Sequence, residues 1–91
     1  MTKLTTKVRV KNKLGLHTRP ATAIVQMLQG CTSEVWFRCG GELVNAKSLL
    51  NLLMLAAARN TQITIIVEGE EAEAKRTMDE LVTGFASSFG E

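Results

Sequence analysis

The 91 residues are enough for one domain with a single hydrophobic core, which we expect to span residues 1–91. Hydrophobic residues make up 45% of the sequence, and no apolar run approaches the roughly 20 residues of a membrane-spanning helix, which excludes disordered, fibrous and membrane-inserted classes. The net charge of +2 conceals an asymmetry, because Lys and Arg recur through the first 19 residues whereas no acid precedes Glu34.

The basic residues of the N-terminal region begin on the first predicted strand. Residues 3–11 alternate between an uncharged side and a mostly basic side, and this period of two predicts a strand in a sheet covered on one face only. The basic side chains form either a solvated strand face or a positive surface that attracts an anionic group or an acidic partner. The two interpretations are compatible.

A loop and a helix follow this strand. Residues 12–16 are typical of a loop, in which Gly15 is free to adopt backbone angles that other residues avoid. From His17 the apolar spacing changes to the helical period, with Pro20 in the first turn and Gly30 at the end of the helix. The predicted helix therefore begins at the only histidine of the sequence.

The second half of the sequence predicts a hairpin, a short helix, a strand and a long helix. Strands over 33–39 and 42–46 flank Gly40-Gly41, a two-residue hairpin signal. A short helix runs from Lys47-Ser48 to about Ala58, a strand covers 62–68 with residues 63, 65 and 67 inward, and an amphipathic helix covers 71–87. The order β-α-β-β-α-β-α indicates an α+β fold, with helices packed on one face of a four-stranded sheet.

His17 is the leading candidate for chemistry. A neutral imidazole is nucleophilic near pH 7, and a phosphoryl group attached at a helix start meets unpaired N–H groups and the positive end of the helix dipole. Arg19 can add a charge-assisted contact to the phosphoryl oxygens. The alternative is a loop or N-cap histidine without chemistry. Since the sequence offers no catalytic triad around His17 and no glycine-rich nucleotide loop, it favours a carrier over an enzyme.

The string Leu14-Gly15-Leu16-His17-Thr18-Arg19-Pro20-Ala21 resembles the active-centre signature of the HPr family, the histidine-containing phosphocarriers of the bacterial phosphoenolpyruvate-dependent phosphotransferase system. Residues 45–50 resemble the second conserved region of that family. The resemblance implies an open-faced β-sandwich, with a four-stranded antiparallel sheet and three helices on one side. It implies that Nδ1 of His17 takes a phosphoryl group from enzyme I and hands it to a IIA-type acceptor, with Arg19 and the Thr18 and Arg19 backbone holding the group.

The second helix is predicted to be a partner surface. Its sequence is apolar nearly all round, so some of Leu49, Leu50 and Leu53 should stay exposed, and an exposed apolar patch marks an interface unless the helix is fully covered. The resemblance implies docking of enzyme I and IIA proteins there, beside Thr18. Ser48 is placed to cap this helix, and it matches the position that a regulatory HPr kinase phosphorylates in many bacteria.

Several alternatives stay open. Residues 12–15 and 52–55 also resemble the nitrogen-branch paralogue, which regulates rather than feeds sugar uptake, and a different class would be a binding module that acts through Ser48 without relaying phosphate. One outward aromatic, Trp36, is too few for a nucleic-acid-binding sheet. Cys31 and Cys39 lack the spacing of a zinc site, so we expect neither metal nor cofactor. We expect a cytoplasmic protein, since no signal segment opens the sequence. We expect a monomer, because transient partners claim the one apolar patch.

Overall fold

The computed structural model describes residues 1–55 and 57–91, and the predicted order of elements is confirmed. The strands and helices are β1 (Thr2–Arg9), α1 (Thr18–Met27), β2 (Glu34–Cys39), β3 (Glu42–Asn45), α2 (Leu49–Leu55), β4 (Gln62–Gly69) and α3 (Glu71–Ala86), followed by a 3-10 turn at Ser88–Gly90. No helix in this part of the chain combines the length and the apolar content that crossing a bilayer demands.

The four strands form one antiparallel sheet in the order β1-β4-β2-β3. β4 lies in the interior of the sheet, where it pairs with β1 on one side and with β2 on the other. The core lies between one face of this sheet and the helices. Its strand residues alternate along the chain as predicted; they include Val35, Phe37, Ile63, Ile65 and Val67. The α+β architecture and the open-faced sheet are therefore as expected.

The helix-free face of the sheet also buries one apolar side chain. Ile66 is 8% exposed, although it points away from the three inward residues of β4. It lies opposite Thr5 of β1 and Trp36 of β2 in the register, so the indole of Trp36 has an apolar neighbour on this face. The sequence pattern assigned only residues 63, 65 and 67 of this strand to buried positions.

Helix α2 is shorter than predicted. It ends at Leu55 rather than near Ala58, and Ala56 lies outside the described residues. Ala57 is buried outside the helix, where its carbonyl oxygen accepts a hydrogen bond from the N–H of Leu16 at 2.8 Å. Apolar composition extended the prediction too far because it does not reveal that this backbone binds another loop.

The turn after α3 was not predicted. Ser88 and Phe89 adopt positive φ angles of 56° and 51°, an uncommon conformation for residues with side chains. The Phe89 ring packs edge-on against Phe85, with centroids 4.9 Å apart, and it occupies the space that a Cβ atom on Gly84 would need. The turn reverses the chain and brings Glu91 back toward the N-terminus of α1.

Candidate functional site

The loop before α1 is held in place by its backbone. Gly15 has a φ of +74°, its N–H donates to the Asn12 carbonyl at 2.9 Å, and a side chain there would collide with the Ala57 backbone. Leu16 is 3% exposed and donates its N–H to the Ala57 carbonyl. With both residues before it fixed, His17 enters α1 in a defined position.

His17 is the N-cap of α1, and it has extended backbone angles. Its side chain makes no capping hydrogen bond, and its carbonyl accepts the N–H of Ala21 at 3.0 Å. The first N–H groups of a helix lack intrahelical partners, and Pro20 carries no N–H. The first backbone donors at this end of the helix are therefore the N–H groups of Thr18 and Arg19. These are the two residues whose backbone is predicted to hold a phosphoryl group.

An acid lies against the imidazole, which sequence reasoning did not anticipate. Nε2 of His17 is 3.0 Å from Oε1 of Glu91, and the two side chains are 30% and 21% exposed. Oε2 of the same carboxylate is 3.5 Å from Nε of Arg19, whose side chain is 82% exposed. The absence of an acid close in sequence to His17 was thus a poor guide, since Glu91 is 74 positions away.

Asn12 anchors the segment that carries this acid. Its side chain is buried, and Nδ2 donates to the Ser88 carbonyl at 2.8 Å and to Oε1 of Glu91 at 2.9 Å. The bond from Asn12 is the main reason that the pKa of the Glu91 carboxyl lies below its usual range; His17 and Arg19 lower it further, and partial burial opposes them. Sequence reasoning placed Asn12 in a loop and assigned it no role.

Basic residues surround this group. Lys11, Lys13 and Arg19 line an open cleft together with His17 and Glu91. Three basic residues of the N-terminal region therefore lie near the histidine, which agrees with the positive surface that the sequence suggested there. Lys3 and Lys7 instead occupy exposed positions of β1. In the part of the chain that the structure describes, no three His, Cys, Asp or Glu side chains converge as metal ligands would.

Ser48 caps α2, as its position in the sequence suggested. Its Oγ accepts hydrogen bonds from the backbone N–H of Asn51 at 3.2 Å and from Asn51 Nδ2 at 3.1 Å. Its carbonyl accepts the N–H of Leu52 at 3.0 Å, which closes the first helical turn. Ser48 as a whole is partly exposed at the start of the helix.

An apolar surface adjoins the histidine. Leu49, Leu50 and Leu53 are 38%, 66% and 37% exposed, and Met54 is 66% exposed, whereas Leu52 and Leu55 of the same helix are buried. Leu53 lines a shallow depression together with His17 and Thr18. The three exposed leucines are the ones predicted, and Met54 extends the surface. We call the exposed side chains of residues 49, 50, 53 and 54 the α2 patch.

The site thus combines an imidazole, a helix N-terminus, a guanidinium and an adjoining apolar surface, a set suited to holding a phosphoryl group while a second protein docks. A family model for the PTS HPr component phosphorylation site matches residues 4–87. The chain is 41% identical over 85 residues to phosphocarrier protein HPr of Neisseria meningitidis, covering 92% of each. It is 42% identical over 67 residues to the HPr-like protein Crh of Bacillus subtilis, covering 74% of this chain and 79% of Crh. The crystal structure of phosphocarrier protein HPr from Bacillus anthracis superposes with a TM-score of 0.82 at 30% identity, covering 91% of this chain and 96% of that one.

Proposed function

This chain belongs to the HPr family, and we propose that it takes a phosphoryl group onto Nδ1 of His17 from phosphorylated enzyme I and passes it to a IIA-type protein of the phosphotransferase system. Members of the family are phosphocarriers rather than enzymes. The product is a phosphoramidate, whose phosphorus–nitrogen bond breaks readily when the imidazole leaves. The group can therefore be handed on.

The observation that carries this proposal is the position of His17 as the N-cap of α1. A dianion on the ring lies beside the leading N–H groups of Thr18 and Arg19 and the positive end of the helix dipole. The Arg19 guanidinium is exposed and close enough to the site to contact Glu91, so it can reach phosphoryl oxygens in the same cleft. No acid in the first turn of α1 opposes the incoming charge.

The α2 patch is the proposed docking surface for enzyme I and for the acceptor. It is apolar, exposed and adjacent to His17 through Leu53 and Thr18. One surface can serve both partners because the donor and the acceptor must each reach the same imidazole in turn. We propose that the protein works in the cytoplasm as a monomer, since a second copy on this patch would block docking.

Ser48 is the proposed regulatory site, where an HPr kinase adds a phosphoryl group. A phosphate has acceptor oxygens that can replace the hydroxyl in capping α2, so the helix is retained. The added charge of roughly −1.5 to −2 lies at the edge of the α2 patch and repels acidic partners. Modification would therefore reduce docking while the fold persists.

The similarity to the HPr-like protein Crh favours one further candidate, a regulatory binding module that acts through Ser48 and α2 without relaying phosphate. The intact run from His17 to Pro20, with its helix N-terminus and guanidinium in place, favours the carrier. A nitrogen-branch carrier would use the same site with a different enzyme I and a different acceptor.

Phosphoryl transfer from labelled phosphoenolpyruvate through a purified enzyme I tests the proposal. We expect wild type to acquire an acid-labile, alkali-stable label and His17→Ala to acquire none while melting at the same temperature. Glu80→Ala, a change at an exposed carboxylate of α3, is the matched control and should be labelled like wild type. Label retained by His17→Ala would refute the site, and an unlabelled wild type with a cognate enzyme I would favour the binding module.

A further inference from the structure

The contact between Glu91 and His17 bears on which nitrogen of the imidazole carries the proton. An ionised carboxylate has lone pairs but no hydrogen to donate, so at 3.0 Å the hydrogen bond requires a proton on Nε2 of the imidazole. A neutral imidazole carries one ring proton, and Nδ1 is then left with its lone pair. Among the described residues, no hydrogen bond occupies Nδ1.

The carboxylate is held in place rather than free to move with its side chain. Asn12 donates hydrogen bonds to both the Ser88 carbonyl and Oε1 of Glu91, and the ring of Phe89, which lies between these two residues in the sequence, packs against Phe85. Oε1 therefore accepts from Asn12 and from His17 together, at 2.9 and 3.0 Å. Such preorganisation reduces the entropy lost when the contact is used in a reaction.

The surroundings of the ring give this carboxylate a second role. Lys11, Lys13 and Arg19 line the same cleft, and Glu91 is the single acid among the described residues that line it. Positive charge that develops on the imidazole during transfer is repelled by these three cations, at a cost in free energy. A carboxylate on the nitrogen opposite the reacting one offsets that cost, as the aspartate of a Ser–His–Asp triad does for its imidazolium.

We propose that Glu91 is a positioning residue for phosphoryl transfer, which fixes His17 as the Nε2–H tautomer and stabilises the positive charge that the ring gains when Nδ1 attacks phosphorus. This inference rests on the phosphocarrier function proposed above. The Nδ1 lone pair forms the new phosphorus–nitrogen bond while the bond from phosphorus to the donor atom of enzyme I breaks, and the electrons of that bond stay on the donor. Nε2 keeps its proton throughout, so the charge left on the ring faces Glu91. Transfer to the acceptor reverses these steps.

The tautomer can be measured without any phosphoryl donor. In ¹⁵N-labelled protein with a neutral imidazole, the imidazole ¹⁵N shifts distinguish a protonated from an unprotonated nitrogen. We expect wild type and Glu80→Ala to show the Nε2–H form alone, and Glu91→Ala to show an added Nδ1–H population. Wild type with a substantial Nδ1–H population would overturn the proposal.

Rates of phosphoryl transfer test whether Glu91 stabilises the positive charge on the imidazole. With the same enzyme I, we expect Glu91→Ala to accept phosphoryl groups about five- to tenfold more slowly than wild type, a modest factor because the partly exposed pair is screened. In Glu91→Gln the side-chain carbonyl can still accept from Asn12 and from Nε2 of His17, so we expect the Nε2–H tautomer to be kept. Transfer should remain as slow as in Glu91→Ala, because the amide carries no negative charge to stabilise the ring. A Glu91→Ala rate equal to that of Glu80→Ala would overturn the role in transfer.

A substitution at Asn12 tests the contact between Glu91 and His17 without changing either residue. Asn12→Asp keeps the side-chain size but replaces the donor with a second carboxylate, which repels Glu91 and the Ser88 carbonyl. We expect Asn12→Asp to show the same mixture of tautomers and the same slow transfer as Glu91→Ala. A wild-type tautomer and a wild-type transfer rate in Asn12→Asp would overturn the proposed anchoring of Glu91 by Asn12. If wild type itself accepts no phosphoryl group, the carrier function fails, whereas the tautomer measurement still tests the contact.

Discussion

The carbonyl oxygen of Ala57 accepts the N–H of Leu16 at 2.8 Å, which joins the chain after α2 to the loop that carries the histidine. Leu16 is the residue directly before His17, and its side chain is buried in the core. The contact places the proposed phosphoryl acceptor and the proposed docking helix in a fixed relation. A partner docked on α2, as we propose, would therefore be positioned relative to the imidazole by a backbone contact rather than by a flexible side chain.

Gly15 makes this approach of two backbone segments possible, and Gly15→Ala should disrupt it. Its φ of +74° disfavours any side chain, and an added Cβ would collide with the Ala57 backbone. We expect a loss of about 2 kcal/mol in the free energy of unfolding and slower phosphoryl transfer, measured by denaturant titration and by labelling. Gly41→Ala is the control, because it has open space and no positive φ. Equal stability of the two variants would contradict this role of Gly15.

Glu73 ties α3 to the chain before β2, and its pKa provides a test at low pH. Its carboxylate accepts from Thr32 Oγ1 at 2.6 Å, from Ser33 Oγ at 2.7 Å and from the Thr32 N–H at 3.1 Å. These bonds, led by that from the Thr32 side chain, lower the pKa of Glu73 to about 2. Because the folded pKa is depressed, the stabilisation is full above the unfolded pKa near 4.5 and is lost as pH falls toward 2.

Glu73→Gln should therefore lower the melting temperature at pH 7, and the difference from wild type should narrow between pH 4.5 and 2. Thermal melts over this range give the comparison. Glu80→Gln, on the exposed surface of the same helix, should match wild type at every pH. A Glu73→Gln difference that does not change with pH would show that the charge on this carboxylate contributes nothing.

The strands and helices could be predicted because their signals are local. Alternation in β1 and β2, the glycine pair of the hairpin and the helical spacing after His17 each lie within a few residues. Glu91 could not be placed at the site, since its contact with His17 joins positions 74 apart and depends on a turn at Phe89 with an uncommon backbone angle. Neither the contact between His17 and Glu91 nor the backbone angle of Phe89 produces a recognisable pattern in the neighbouring residues of the sequence.

Ser48 allows capping and regulation to be separated. Ser48→Ala removes the acceptor for the Asn51 N–H and should cost about 1 kcal/mol of unfolding free energy, with transfer little changed. Ser48→Asp keeps a capping acceptor and adds charge, so stability should stay near wild type while transfer from enzyme I falls and recovers partly at higher salt. Denaturation and labelling at two ionic strengths measure both. If Ser48→Asp transfers at the wild-type rate, charge at this position does not control docking.

Arg19 should matter for transfer and not for folding. Its side chain is 82% exposed, and its one described ion pair, to Glu91, is long at 3.5 Å. We expect Arg19→Ala to melt like wild type and to transfer about tenfold more slowly, with Arg19→Lys between them because an ammonium lacks the bidentate geometry of a guanidinium. Arg59→Ala, at another exposed position, is the control for net charge. Equal rates for the two alanine variants would leave Arg19 without a role.

The α2 patch can be tested against a comparably exposed leucine on the sheet. Leu50 is 66% exposed on α2, and Leu43 is 56% exposed on β3, where its neighbour Val44 points to the core and Leu43 therefore faces the helix-free side. Replacement of either residue by Ser removes a similar apolar area from a solvent-exposed site, so neither change should lower the melting temperature much.

Only Leu50→Ser should impair transfer, because its side chain lies in the patch that we propose enzyme I covers. We expect the KM of enzyme I for the carrier to rise about tenfold with kcat nearly unchanged, since a lost docking contact weakens binding before the chemical step. A fall in kcat alone would instead indicate an effect on the imidazole. Equal KM values for Leu50→Ser and Leu43→Ser would place the docking surface elsewhere on the molecule.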